Sequence, residues 1–172
     1  FWDGGDPLPP SQSSAEEAMQ LYVQSVNDAP IVSNVDNDTA DYVEGASPIF
    51  LDQGADASIV DVDSGDFDGG KLVVSIADNN VTSEDVLGVM SQGSLDVTGS
   101  YVSYGGNLIG TMTFDDAAGE LTVDLTSANA DANAVSALIQ SVTYENSNTY
   151  SPDTADRKVQ FQLWDGDGTV SG

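Results

Sequence analysis

Two stretches of this chain carry carboxylates spaced two residues apart. They are DVDSGDFD at residues 61–68 and WDGDG at residues 164–168. In an extended segment, that spacing puts Asp61 and Asp63, and likewise Asp165 and Asp167, on the same side of the backbone. Paired like charges in tight turns repel one another unless a cation comes between them. Asp66 adds a third carboxylate to the first stretch, and the glycines of the second let the backbone turn tightly enough to offer carbonyls. Two further oxygen sources lie upstream, Asn27 and Asp28 in VNDAP and Glu44 in VEG. Hard oxygen donors of these kinds are what Ca²⁺ takes, with six to eight of them at roughly 2.3–2.6 Å. The first stretch is not an EF-hand loop, because Gly65 stands where that loop needs its third ligand. Any cage must therefore be assembled from separate loops. DNDTAD at residues 36–41 reads as a polar loop.

The composition fits the same chemistry. Asp and Glu number 29 against three basic residues, Lys71, Arg157 and Lys158, for a formal net charge of -26. Such a charge repels nucleic acid and anionic membrane surfaces and attracts cations. Cysteine and histidine are absent, which removes disulfides, thiolate metal sites and the commonest general base. No nucleophile or base is marked, so the chain reads as a non-enzyme. Hydrophobic residues make up 40% of it, enough to build a core.

The elements that must position the carboxylates are short and alternating. AMQLYVQSV (18–26) alternates as a strand up to NDAP, where Pro30 ends pairing. GGKLVVSIA, GSLDVTG, GELTVDLTS, SVTYENS and RKVQFQLWD read as strands, with Val159, Phe161 and Leu163 on one face of the last. YVEGASPIFLD and ASIVDVDS read as shorter ones, and EDVLGVMSQG fits either a strand or a helical turn. YVSYGGNLIGTMTF is a hairpin turning at Gly105-Gly106. One stretch has helical period: DANAVSALIQSV sets Val135, Leu138, Ile139 and Val142 on one face behind Asp131 as N-cap. Eight to ten short strands and one helix near 131–141, crossing between sheets, predict an all-β sandwich. The ends also match: Phe1-Trp2-Asp3-Gly4 returns as Leu163-Trp164-Asp165-Gly166, as expected of one period of a tandem array. The expected division is residues 1–17 as linker and end of a preceding unit, 18–30 as a strand and junction, and 31–172 as the sandwich.

In this order, VNDAP, YVEGA, FLDQGADASIVDVDSGDFDGGKLVVSI, EDVLGV, YGGNLIGTMT, ANAVSALIQSVTYEN and VQFQLWDGDGTVS resemble cadherin-like tandem repeats. These repeats build giant bacterial surface and secreted proteins, including adhesins of the repeats-in-toxin type. The resemblance covers roughly residues 26–172, and PLPPSQSSAEE departs from it. It implies an immunoglobulin-like sandwich, Ca²⁺ at the junctions between units and a role in adhesion or filament assembly outside the cell. Asn27-Asp28 is similar to the Asn-Asp element of cadherin linkers, and Glu44 to their early Glu. The expected partners are neighbouring repeats or identical subunits head-to-tail, with surface glycans as a second class. In such arrays a last strand follows the WDGDG turn. Without it the sandwich has an open edge, which residues 18–26 could fill in their own domain or in another subunit. The alternative reading is a carbohydrate-binding module, using Trp164 either as an exposed stacking face or, if buried, merely as a cap on the core.

Overall fold

The computed structural model describes residues 18–23 and 26–166. In chain order the strands begin with β1 (Ile31–Ser33), β2 (Ile49–Phe50), β3 (Ser58–Val60), β4 (Lys71–Asp78), β5 (Asp85–Val89) and β6 (Leu95–Thr98). They continue with β7 (Tyr101–Tyr104), β8 (Asn107–Asp115), β9 (Glu120–Leu125), β10 (Val142–Asn146) and β11 (Lys158–Trp164). The helix α1 (Ala132–Gln140) lies between β9 and β10. All pairing is antiparallel, in sheets ordered β1-β3, β2-β10-β5 and β11-β4-β9-β8-β7-β6. The described residues are all-β with a single short helix. Among the described residues no helix is long and apolar enough to cross a membrane.

The local chemistry behind these elements is simple. Leu72, Val74 and Ile76 on β4 and Leu121, Val123 and Leu125 on β9 repeat every second residue and turn one face of the large sheet inward. Leu87, Val89 and Val142 of the three-stranded sheet meet that face, and Val135, Leu138 and Ile139 of the helix join the same core. Asp131 caps the helix as its sequence predicts, accepting from the Ala134 amide at 2.8 Å. The helix does carry the chain from the large sheet to the small one. Val142, read as part of the helix stripe, is instead the first residue of β10, and it is fully buried there. The β7–β8 hairpin turns at Gly105 and Gly106, whose φ angles of 56° and 82° lie in the left-handed region that glycine enters without steric cost. EDVLGVMSQG resolves as a strand, β5.

Two expectations fare differently. Residues 18–23 belong to no strand, and Met19, Leu21 and Val23 are exposed. An alternating segment is held as a strand only when one face is covered, and no strand among the described residues covers this one; residues 24 and 25 of the expected strand lie outside the described residues. YVEGASPIFLD yields only the two-residue β2, because Val43–Ala46 closes a turn with Gly45 at φ 74°. Among the described residues, β11 has β4 as its one hydrogen-bonded neighbour, and Val159, Phe161 and Leu163 are only partly buried against the core.

Candidate functional site

The antiparallel β1–β3 pair brings the residues ahead of β1 and those after β3 to the same end, since Ile31 lies opposite Val60. The helix steadies this pair: Ser136 Oγ accepts from the Ile59 amide at 3.0 Å, and Gln140 Nε2 donates to the Ala57 carbonyl at 2.8 Å. Where β11 ends, Trp164 pairs with Lys71 at the start of β4, so Asp165 adjoins the loop that leads into β4. That approach is close enough that a Cβ on Gly70 would collide with the Trp164 carbonyl.

Within this end, Asn27 Nδ2 donates to Asp165 Oδ2 at 2.9 Å, and the Asp28 amide donates to Asp63 Oδ2 at 3.0 Å. Asp61 Oδ1 accepts from the amides of Asp63 (3.1 Å) and Ser64 (3.0 Å), and Asp66 Oδ1 accepts from the Asp68 amide at 3.1 Å. Asp61 Oδ2 is buried with no hydrogen-bond partner. Asp165 is itself buried, at 6% exposure. The topology thus gathers Asn27, Asp28, Asp61, Asp63, Asp66 and Asp165 at one end of the domain. Asp167 lies outside the described residues.

Asp61 and Asp63 are electrostatically paired. Burial pushes the Asp61 carboxyl up, but the Ser64 and Asp63 amides and the Asp63 side chain outweigh it and hold the group below its ordinary range. On Asp63 the Asp28 amide pulls down; burial and the adjacent Asp61 outweigh it and lift the group. Two carboxylates that resist ionising together are what a cation relieves. Still, no three carboxylates among the described residues are arranged to hold a metal ion. The gathered set is a partial cage of side chains from separate loops.

Glu44 is not part of this set. It is exposed and lines a groove with Asp38, Asp41 and Arg157, on the side where β11 begins, roughly 20 Å of strand from Asp165. Trp164, out of phase with Phe161 and Leu163, does not cap the core: it is 43% exposed, and Lys71 Nζ stands 4.9 Å from its ring centroid.

The structure also holds a polar network that the sequence reading missed. Arg157 Nε binds Asp85 Oδ2 at 3.0 Å, with the Asp85 side chain fully buried. Tyr144 donates its hydroxyl to Asp85 Oδ1 at 2.6 Å, and the Val81 amide donates to Asp85 Oδ2 at 2.7 Å. Glu84 collects Asn148 Nδ2 at 2.8 Å and the Asp153 amide at 3.0 Å. The one available signal was an arginine among only three basic residues, but its partner lies far away in sequence.

Burial, then the hydrogen bond to Asp85, pushes the Tyr144 hydroxyl up to about 12. Because the folded value exceeds the unfolded value of about 10, this contribution to stability is complete below pH 10 and is lost as pH rises toward 12. A spectrophotometric titration is expected to show a tyrosine step near pH 12 that Tyr144→Phe removes.

No family model, no curated protein and no solved structure matches the chain.

Proposed function

We propose that this chain is a Ca²⁺-binding structural repeat of cadherin-like type. It acts in adhesion or filament assembly outside the cell, at a bacterial surface, and is not an enzyme. The observation that carries the reading is the fastening of Asn27 and Asp28, which precede the first strand, to Asp165 and Asp63 at the domain end. A cation drawn to the Asp61–Asp63 pair beside this fastening ties an incoming segment to the domain. The buried, unpartnered Asp61 Oδ2 supports this, since it is an oxygen that has left water and gained no donor. The net charge of -26 supplies both the attraction for the cation and the self-repulsion that the cation relieves.

The test is thermal unfolding at matched ionic strength in Ca²⁺, Mg²⁺, Na⁺ and chelator. Ca²⁺ at a hundredfold its Kd stabilises by about 2.7 kcal/mol, which for a domain of this size raises the Tm by roughly 5–10 °C. Mg²⁺ is expected to do less, because it demands near-ideal octahedral geometry. A Tm that follows ionic strength alone would leave only general screening of an acidic domain. The half-exposed Trp164 favours one second reading, a carbohydrate-binding module. Glycan binding abolished in a folded Trp164→Ala variant would establish it.

A further inference from the structure

The edge of β11 borders a groove of about 770 Å³ whose walls come from the three-stranded and six-stranded sheets. Val35, Ile49, Leu51, Val159 and Phe161 give it an apolar lining, and Asp38, Asp41, Glu44, Asp153 and Asp156 line it as well. Arg157 also lines it, with its side chain only 9% exposed and its Nη2 buried without a hydrogen-bond partner. Two things are therefore unsatisfied together among the described residues: a strand edge and an apolar strip. An extended backbone satisfies both, pairing with β11 and turning alternate side chains inward.

We propose that the occupant is residues 18–23 of a second copy of this chain. The segment Ala-Met-Gln-Leu-Tyr-Val is exposed throughout, and it presents Met19, Leu21 and Val23 at the spacing of one strand face. It carries no charge in a chain of net charge -26, so the carboxylates around the groove do not repel it. Its own groove is poorly placed for it. Asn27 is fastened to Asp165, beyond the last residue of β11, so the segment reaches β11 at its C-terminal end and could lie along it only parallel. A second copy enters from either end and adds antiparallel, in keeping with all the pairing in the domain. Each copy then gives one strand and accepts another. That contact is head-to-tail, so it propagates into a linear polymer wherever its rotation does not bring the ends together in a ring.

The acceptor groove extends the structural-repeat reading but does not need the cation, and the two fail separately. The 172-residue chain is examined by light scattering over a wide concentration range, in Ca²⁺ and in chelator, with deuterium exchange of residues 158–164. The expected result is a mass that grows in whole-chain steps, with β11 amides slowing as it grows. Leu21→Asp, at a residue 74% exposed, is expected to remain monomeric with its Tm unchanged, and a peptide of residues 18–26 to bind it one-to-one. Assembly that persists in chelator upholds this proposal, and the thermal unfolding series decides the cation separately. A parent chain that stays monomeric at every concentration overturns it, whether its β11 edge is freely exchanging or protected by the chain's own residues. So does growth undiminished by Leu21→Asp.

Discussion

Asp85→Ala is expected to cost about 3–5 kcal/mol, the range for removing one partner of a buried ion pair, and to lower the Tm by roughly 6–20 °C. The reason is what the substitution strands. The Arg157 guanidinium stays in place with its side chain 9% exposed, and the Tyr144 hydroxyl and Val81 amide lose their acceptor. Arg157 Nε, the Tyr144 hydroxyl and the Val81 amide each lose the carboxylate oxygen they now donate to. Asp85→Asn keeps the shape and one acceptor oxygen, so it is expected to fall between the parent and the alanine variant. Urea unfolding of the three proteins measures the order. Because Arg157 also holds the Asp153 and Ala155 carbonyls, the alanine variant should loosen the 153–157 segment beside the groove as well. Faster exchange of that segment's amides would report it.

Phe67→Ala is expected to be as damaging, at about 3–5 kcal/mol for an emptied aromatic site. Phe67 is fully buried although it sits inside the acidic stretch DVDSGDFD. Its amide donates to the Ala130 carbonyl at 2.9 Å, and its own carbonyl accepts from Gly70 at 3.0 Å. The ring therefore anchors a loop whose other side chains face water or one another. Losing it costs stability through the cavity and also unfixes Asp61, Asp63 and Asp66 relative to Asp165. The variant should show both a lower unfolding midpoint and weaker Ca²⁺ binding. Phe67→Leu, leaving a smaller void, should show less of each.

What the sequence could reveal followed from how local each feature is. The helix was legible because its cap and its apolar stripe lie within one stretch, and Asp131, Val135, Leu138 and Ile139 do what that stretch requires. The hairpin at Gly105-Gly106 was legible for the same reason, since two adjacent glycines permit the two positive φ angles. Residues 18–23 look like a strand by pattern, but a strand needs a neighbour, and pattern does not supply one. Glu44 was grouped with the other carboxylates as an oxygen source and by resemblance; after the turn at Val43–Ala46 it lines the groove that Arg157 also lines. The Asp85–Arg157 pair spans 72 residues, and no local periodicity marks such a partner. Within the acidic end, the spacing of Asp61 and Asp63 was visible, but the bond from the Asp28 amide to Asp63 depends on the β1–β3 register.

Calorimetric titration of Ca²⁺ into the parent chain and into Asp61→Asn at constant ionic strength addresses the cation most directly. Binding heat at low stoichiometry in the parent, weakened at least tenfold in a variant whose Tm in chelator is unchanged, is the predicted result. No saturable heat in the parent, or identical isotherms for the two proteins, would contradict a cation held at the Asp61–Asp165 end.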